Sequence, residues 1–338
     1  MKITVVGAGA VGGLVAGWLA GQLPAGEVQV SALARGATLQ ALRERGLQID
    51  AEAPVRIHAS DDPAALGAQD LVIVAVKGPA LAAVAPAVRA LCGPHTDVLV
   101  AMNGVPWWFF DGLPGACAGL RLASVDPGDV VRELIPTHRV IGCVVHLSAS
   151  APAPGRVARA GGNGLIIGEP AGGRSERVAR LEALLARAGF AVTVSERIQR
   201  DIWFKLWGNM TTNPISALTL ATCDRILDDP LVRAYCSALM VEAQAIGAAF
   251  GIPIDQEPEA RHAITRKLGA FKTSMLQDVE AGRPLEIDAL VGAVHEIGRH
   301  LALPTPNLDA LLGLARLMAR QRGLYPESPP EPATPAAA

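Results

Sequence analysis

Residues 3–12 read Ile-Thr-Val-Val-Gly-Ala-Gly-Ala-Val-Gly, an apolar, β-branched run that leads into three glycines spaced G-x-G-x-x-G. The run predicts a strand and the Ala/Leu-rich sequence after it predicts a helix, so the glycines lie in the turn between them. In that context Gly7 permits a tight turn, Gly9 lets the backbone approach a pyrophosphate, and Gly12 allows close packing, while the helix N-terminus attracts phosphate charge. The stretch therefore predicts a dinucleotide-binding unit. Its candidate cofactor contacts are Gly7, Ala8, Gly9, Ala10, Val11 and Gly12.

The length of 338 residues exceeds one ordinary core, and two domains are expected. The first third alternates short β-branched runs with helical stretches, which is typical of a parallel sheet. Shorter strands with Gly and Pro turns follow at residues 139–194, and the pattern after Arg197 is helical. We therefore expect an α/β Rossmann-like domain at residues 1–195, with a mostly parallel sheet and added edge strands, and an all-α domain at 196–325. Residues 326–338, rich in Pro and Ala, are predicted to be a mobile tail.

Composition excludes several classes of protein. Thirty Lys and Arg against 32 Asp and Glu give a net charge of −2 with no long basic run, so nucleic-acid binding is not predicted. The apolar stretches at 3–20 and 71–91 are interrupted by glycines or by prolines and charges, so neither a leader nor a membrane span is predicted. Five cysteines without a Cys-x-x-Cys pair suggest neither a disulfide framework nor a metal site. We expect reduced thiols in a cytoplasmic protein.

The end of the second predicted strand, Val28–Leu33, bears on the choice of cofactor. A site for NAD places Asp or Glu near this position, where it accepts a hydrogen bond from the ribose 2′-hydroxyl. The sequence at 30–35, Val-Ser-Ala-Leu-Ala-Arg, has no carboxylate, and Arg35 can pair with a 2′-phosphate. NADP(H) is therefore favoured over NAD(H), while a solvated surface charge is the alternative for Arg35.

Two polar residues follow the next predicted strands of the sheet. Lys77 comes directly after the apolar strand Leu71–Val76, and Asn103 follows the strand Val98–Ala101. Ligands of open α/β sheets bind at the carboxyl ends of strands, so Lys77 could meet cofactor phosphates or the substrate. An amide at Asn103 could face a nicotinamide and a substrate carbonyl. A surface lysine and a turn-forming Asn-Gly pair are the alternatives.

The helical half carries polar residues among tryptophans and a phenylalanine. Lys205 and Asn209 are four residues apart and lie on one face of a predicted helix, and Asn213 follows four residues later. Burial among aromatic rings would lower the pKa of Lys205 and suit it to act as a general acid, with a snorkelling lysine as the alternative. Further along, Ser274 and Glu286 bring a hydroxyl and a carboxylate, which taken alone indicate a helix cap and a surface charge.

Taken together, these segments resemble the ketopantoate reductase (2-dehydropantoate 2-reductase) family over residues 1–322. The matching segments, in chain order, are the glycine motif at 7–12, Val76-Lys77-Gly78, Met102-Asn103-Gly104, Lys205-x-x-x-Asn209-x-x-x-Asn213-Pro214, Ser274-Met275-Leu276-Gln277-Asp278 and Glu286-Ile287-Asp288. The Lys/Asn/Asn segment and the last two are the most specific. The resemblance implies reduction of 2-dehydropantoate to (R)-pantoate by NADPH, in pantothenate and coenzyme A biosynthesis.

The resemblance also implies roles for individual residues. By analogy, Lys205 donates the proton to the carbonyl oxygen, and Glu286 binds the substrate hydroxyl and helps to hold the lysine. The implied substrate-binding residues are Asn103, Asn209, Asn213 and Ser274. The implied cofactor contacts outside the glycine motif are Arg35, Lys77 and Asn103. An ammonium beside a ketone that is gaining hydride both stabilises and neutralises the developing oxyanion.

Two other functions stay open from the sequence. Residues 105–110, Val-Pro-Trp-Trp-Phe-Phe, depart from the simplest family pattern, and either reshape the pocket or pack at a domain interface. A related reductase of other 2-keto acids, such as a D-2-hydroxy acid dehydrogenase of mandelate type, predicts that Trp107 and Trp108 line the substrate site. A non-catalytic NADPH-binding regulator is the third hypothesis, and intact Lys205 and Glu286 argue against it. A homodimer fits the apolar helical domain.

Overall fold

The structure is a computed structural model that describes residues 1–24 and 26–327. Most of the predicted tail, residues 328–338, lies outside the described residues. The chain forms two compact units. The first unit comprises Met1–Met102 and Val130–Asp201, and the second comprises Asn103–Asp129 and the chain from Ile202 onward.

The described part of the first unit contains a nine-stranded, mostly parallel sheet. Its strands are β1 (Lys2–Val6), β2 (Gln29–Leu33), β3 (Gln48–Ile49), β4 (His58–Ser60), β5 (Gln69–Val74), β6 (Cys92–Ala101), β7 (Val140–Ala153), β8 (Arg156–Gly168) and β9 (Ala191–Val194). The strand order is β3-β8-β7-β6-β5-β1-β2-β4, and β9 also pairs with β8. β1 lies in the interior of the sheet between β5 and β2 and is parallel to both, with Val6 in register with Leu33 and Val74. The continuous apolar runs of β1 and β5 suit strands covered on both faces.

The added edge strands are confirmed, although two of them are longer than the sequence predicts. β7 and β8 pair antiparallel, and β8 pairs parallel with β3 and β9. The sequence pattern predicts two separate short strands, at Gly155–Arg159 and Gly164–Gly168. In the structure, one strand, β8, runs without a break from Arg156 to Gly168. Three glycines of β8, Gly161, Gly162 and Gly164, fall at a register shift in the β7–β8 ladder, so this irregularity interrupts the pairing without ending the strand.

The helices of the first unit cover the sheet. They are α1 (Ala10–Gln22), α2 (Gly36–Arg45), α3 (Pro63–Leu66), α4 (Leu81–Leu91), α5 (Val130–Leu134) and α6 (Glu176–Arg187). α1 follows β1 directly and packs against β7 and β8, with Leu14 and Leu19 fully buried. This strand-turn-helix sequence confirms the predicted Rossmann-like fold and places the glycine turn at the carboxyl end of β1.

Arg177 ties together several elements of the first unit. Its guanidinium donates hydrogen bonds to the carboxylates of Glu169 (2.5 Å) and Asp97 (3.2 Å) and to the carbonyl of Val140 (3.0 Å). Burial raises the pKa of Glu169, but hydrogen bonds from Arg177 and Ser175 outweigh this effect, so that the pKa is lower than usual. The arginine therefore neutralises a mostly buried carboxylate and joins α6 to β6 and β7.

Replacing Arg177 by methionine is expected to destabilise the first unit by about 3 kcal/mol at neutral pH, because the buried carboxylate of Glu169 loses its partner. A carboxyl with a lowered folded-state pKa stabilises the fold above its unfolded pKa of 4.5 and loses this contribution as the pH falls through the folded value. The difference between variant and wild type should therefore shrink below pH 4.5. Urea unfolding at pH 7 and pH 4 measures this, and Arg180→Met, on the exposed face of α6, is the control.

The second unit is helical in its described part. Its helices are α7 (Ile198–Thr219, which begins in the first unit), α8 (Cys223–Asp228), α9 (Pro230–Ala249), α10 (Pro258–Arg266), α11 (Ser274–Glu280), α12 (Ala293–His300) and α13 (Pro306–Gln321). A π-helical turn, Asp288–Gly292, precedes α12. None of the described helices has the length and apolar character needed to cross a bilayer.

The segment 103–129 belongs to the second unit, whereas the sequence-based division at residue 195 placed it in the first domain. Its aromatic side chains explain the difference. The ring of Phe109 lies 6.2 Å from that of Trp203 and 6.0 Å from that of Phe250, and the ring of Phe110 lies 5.4 Å from that of Phe250. Trp107 and Trp108 are also buried. Burial of these large apolar side chains among the helices stabilises the packing of the segment in the second unit, although the segment directly follows a strand of the first unit.

Candidate active site

The glycine turn after β1 has the geometry of a phosphate cradle. Gly7 adopts a φ of +94°, and a Cβ at this position would lie 2.7 Å from the Val76 side chain. A Cβ at Gly12 would lie 2.1 Å from the carbonyl oxygen of Gly7, so the helix approaches the turn as closely as glycine allows. At Gly9, the N-cap residue of α1, a Cβ would meet no atom within 4 Å. The N-terminus of α1 therefore opens onto free space, where its N–H groups can hold a phosphate.

A cavity of about 320 Å³ begins at this turn. It lies at the carboxyl ends of β1 and β2, the usual place for a ligand of an open α/β sheet. Its lining residues are Val6, Gly7, Ala8, Gly9, Leu33, Ala34, Arg35, Thr38, Asp61, Val76, Ala83, Val84 and Ala87. The glycine turn and Arg35 thus line one cavity of ligand size, and together they fit a dinucleotide.

Asp61 is a cavity residue that the sequence reasoning did not identify. It follows β4, and β4 pairs with β2, so the sheet brings Asp61 beside Arg35. The nearest guanidinium nitrogen of Arg43 lies 3.6 Å from its carboxylate. In the sequence, the short strand that ends at Ser60 is the only local feature that bears on Asp61. That this strand lies next to β2, and so places Asp61 near Arg35, depends on the strand order of the sheet. A carboxylate that can accept from a ribose hydroxyl therefore shares the cavity with Arg35.

Lys77 lies beside the cavity without lining it. It caps a short 3-10 turn, Gly78–Ala80, immediately after Val76, which does line the cavity. The side chain is half-buried. The position after β5 is thus the one predicted from the sequence, at the carboxyl end of a central strand.

In the second unit, Lys205 and Asn103 meet although 102 residues separate them in the sequence. The Lys205 Nζ donates a hydrogen bond of 2.8 Å to the Asn103 Oδ1. Lys205 is half-buried on α7, and the fully buried Trp203 and Trp207 lie on the opposite face of that helix. Packing of these two tryptophans fixes the rotation of α7 about its axis, and the ammonium group is thereby directed toward the amide.

The loop that carries Asn103 is attached to the segment that carries Glu286. Val105 N–H donates a 2.9 Å hydrogen bond to the carbonyl of Ala289, in the π-helical turn. Gly104 adopts a φ of +82°, and a Cβ there would lie 2.5 Å from the same carbonyl oxygen. Glu286 lies just before this turn and is only 7% exposed. One backbone contact therefore positions Asn103 and Glu286 together.

Asp288 is the first residue of the same π-helical turn and fixes it to the C-terminal part of the second unit. Its Oδ1 accepts hydrogen bonds from the Tyr325 hydroxyl (2.7 Å) and the Arg316 guanidinium (3.1 Å). Burial and the hydrogen bond to Asp288 raise the pKa of Tyr325 to about 12, so the phenol stays a neutral donor at ordinary pH. Asp288, two residues after Glu286, thus has a supporting role that the sequence did not indicate.

The three remaining candidate substrate residues also lie in the second unit. Asn213 Nδ2 lies 3.5 Å from the Ser274 Oγ, at the start of α11. Thr273 caps that helix by accepting a hydrogen bond from the Leu276 N–H. The half-buried amide of Asn209 makes no hydrogen bond with a described residue, and it lies one turn after Lys205. An ammonium, several amides, a hydroxyl and a buried carboxylate are therefore available in one unit.

Comparison with protein families matches both parts of the chain. The model described as Ketopantoate reductase PanE/ApbA matches residues 3–172, and the model for its C-terminal part matches residues 197–319. The chain belongs to this family. It is 44% identical over 330 residues to a 2-dehydropantoate 2-reductase from Mesorhizobium japonicum, covering 96% of this chain and 100% of the relative. The predicted family membership is confirmed.

Solved structures agree with the fold of this family member. A Ralstonia solanacearum protein, solved as a candidate ketopantoate reductase, has a TM-score of 0.91 and 58% identity, covering 96% of this chain and 99% of that chain. The ternary structure of D-mandelate dehydrogenase with NADH and anilino(oxo)acetate shares the fold at a TM-score of 0.80 and 20% identity, covering 96% and 100% of the two chains. The family and this NADH-bound neighbour indicate a nicotinamide cofactor.

Proposed function

We propose that this protein reduces 2-dehydropantoate to (R)-pantoate with NADPH, and the 44% identical relative named 2-dehydropantoate 2-reductase supports the choice of substrate. The observation that carries the proposal is the Lys205–Asn103 hydrogen bond, within a unit that also holds the Glu286 segment against the Asn103 loop. A regulator that only bound the cofactor would not need a half-buried ammonium directed at an amide. The arrangement supports an enzyme, and the family is one of oxidoreductases.

The candidate residues have different roles in the reduction of a ketone. The nicotinamide cofactor supplies a hydride to the carbonyl carbon when it is bound. The carbonyl oxygen then gains negative charge, and Lys205 Nζ stabilises this charge and donates the proton that completes the hydroxyl group. Asn103 holds the ammonium in place by accepting its hydrogen bond. Glu286 binds the substrate hydroxyl and helps to hold Lys205, while Asn209, Asn213 and Ser274 orient the rest of the substrate.

The proposed preference for NADPH depends on Arg35. Arg35 lines the cavity that starts at the glycine turn, at the carboxyl end of β2, together with Thr38. A guanidinium can hold a 2′-phosphate through two parallel hydrogen bonds. Asp61 lines the same cavity and would repel that phosphate, but Arg43 lies close enough to offset its charge. This balance supports NADPH as the preferred cofactor.

Replacing Arg35 by glutamine is expected to raise the Kd for NADPH about 30-fold and to leave the Kd for NADH nearly unchanged, because only NADPH carries the phosphate that the guanidinium binds. Fluorescence titration of each reduced cofactor measures both constants. Arg45→Gln serves as the control, since Arg45 is exposed at the end of α2 and does not line the cavity. An unchanged NADPH preference would remove the basis for this choice of cofactor.

The function is tested by following NADPH oxidation by the purified protein with 2-dehydropantoate, phenylpyruvate, phenylglyoxylate and aliphatic 2-keto acids. We expect kcat/KM to be highest for 2-dehydropantoate. Phe109 and Phe110 pack against Trp203 and Phe250, which supports a role for this cluster in the core rather than in binding an aromatic substrate. Turnover confined to the aromatic keto acids would instead favour the mandelate-type alternative, with Trp107 and Trp108 at the substrate.

A further inference from the structure

Arg261 reaches from α10 to the helix that carries the candidate catalytic lysine. A Cβ at Gly208 of α7 would lie 2.9 Å from the Arg261 Nε and 3.0 Å from its Nη2. The absence of a side chain at Gly208 therefore makes room for the guanidinium. The guanidinium carbon also lies 5.3 Å from the centre of the Phe204 ring, and this contact restricts its movement.

The guanidinium of Arg261 has no counter-ion within the part of the chain that the structure describes. Its Nε is buried and makes no hydrogen bond, and no carboxylate among residues 1–24 and 26–327 pairs with the group. Burial lowers the pKa of Arg261, and no acidic neighbour opposes this effect. Arg266, the last residue of α10, is the other arginine of this helix, and its guanidinium pairs with the carboxylate of Asp228. A half-buried cation without a partner is costly, and an anionic ligand would remove the cost.

The position of Arg261 relates it to the candidate substrate residues. Gly208 comes three residues after Lys205 and directly before Asn209, so the guanidinium packs on α7 within one helical turn of both. Lys205 is the only cation among the substrate and catalytic residues proposed above, and it serves the keto oxygen. The carboxylate of a 2-keto acid is therefore left without a cationic partner.

We propose that Arg261 binds the carboxylate of the 2-keto acid substrate and so selects 2-keto acids over neutral ketones. This inference rests on the proposed function. Arg261 forms two parallel N–H···O hydrogen bonds with the carboxylate, a geometry that lysine cannot reproduce. Lys205 then acts on the keto oxygen while Arg261 holds the carboxylate. Phe204 and Gly208 act as positioning residues, since one stacks on the guanidinium and the other leaves space for it.

Steady-state kinetics of the full-length protein with 2-dehydropantoate tests this role. Arg261→Gln is expected to raise KM at least about 30-fold, with a smaller change in kcat, because a charged hydrogen-bonded pair is lost from substrate binding. Arg261→Lys keeps the charge without the second hydrogen bond and should raise KM about 10-fold. Arg266→Gln, one turn further along α10, should leave KM unchanged. The Kd for NADPH, from fluorescence titration, should be the same in all four proteins.

A second measurement does not depend on turnover. With NADP⁺ present, the product pantoate should raise the Tm of wild type and of Arg266→Gln, but not that of Arg261→Gln. If KM of both Arg261 variants lies within threefold of wild type, or if only kcat falls, the role of Arg261 is contradicted while the proposed function stands. If wild type turns over no 2-keto acid, the proposed function itself fails. An Arg261→Gln protein that does not fold leaves Arg261→Lys to decide, by the same KM criterion.

Discussion

Replacing Lys205 by methionine is expected to lower kcat for 2-dehydropantoate reduction by about 10³-fold, with little change in the Kd for NADPH. The variant loses the proton donor and the positive charge beside the developing oxyanion, and removal of one such group costs about 10²–10⁴-fold in other enzymes. Methionine is unbranched and of similar length to lysine, so it can occupy the same half-buried position on α7. Stopped-flow or steady-state oxidation of NADPH measures the loss.

The matched control for this variant is Lys267→Met. Lys267 is an exposed lysine of the same unit, just after α10, and its removal should leave kcat unchanged. A Lys205→Met protein that retained more than a tenth of the wild-type kcat would mean that the proton comes from another group. A parallel loss of NADPH binding would instead indicate a structural defect, and a cofactor titration distinguishes the two results.

Replacing Gly104 by alanine is expected to lower kcat/KM by at least about 100-fold and to destabilise the second unit by about 2–4 kcal/mol. The added Cβ would lie 2.5 Å from the carbonyl oxygen of Ala289, and the φ of +82° is unfavourable for alanine. Relief of this clash requires breaking the hydrogen bond from Val105 to Ala289. The Asn103 amide and the Glu286 carboxylate would then no longer be held together.

Gly119→Ala separates backbone strain from this contact. Gly119 lies in the same 103–129 segment with a similar φ of +68°, but a Cβ there would meet no atom within 4 Å. We expect a stability loss of about 1 kcal/mol and unchanged kinetics. Urea unfolding and steady-state kinetics of both variants provide the test. Equal kinetic effects at the two positions would show that the contact with Ala289 does not position the site.

The two variants examine a feature that links activity to packing. Asn103 comes directly after the sheet of the first unit, yet it is held by the helical unit through Gly104, Val105 and the aromatic residues that follow. Burial of the aromatic side chains at 107–110 therefore brings the Asn103 amide to Lys205. Without this packing, Asn103 would be part of a simple loop after the strand. In this family member, the packing of residues 107–110 and the position of a candidate substrate group depend on each other.

The sequence by itself determined the local parts of the molecule. The glycine turn between β1 and α1, the buried parallel strand β5 and the long helices after Arg197 all follow from periodicity and turn chemistry among residues close in the chain. The family and the identities of the candidate residues, such as Lys205 and Glu286, could be read from motifs because their spacing on one helix or one loop carries the signal.

Tertiary structure decided which of these local parts meet. The Lys205–Asn103 hydrogen bond, the contact of Gly104 with Ala289, the place of Asp61 beside Arg35 and the unpaired Arg261 over Gly208 each join distant segments. Such contacts depend on how side chains of different volume pack together and on the order of the strands in the sheet. Neither leaves a periodic pattern in the sequence from which the contact could be predicted. The assignment of residues 103–129 to the helical unit has the same origin, because the energy of burying four aromatic rings depends on the partners that surround them.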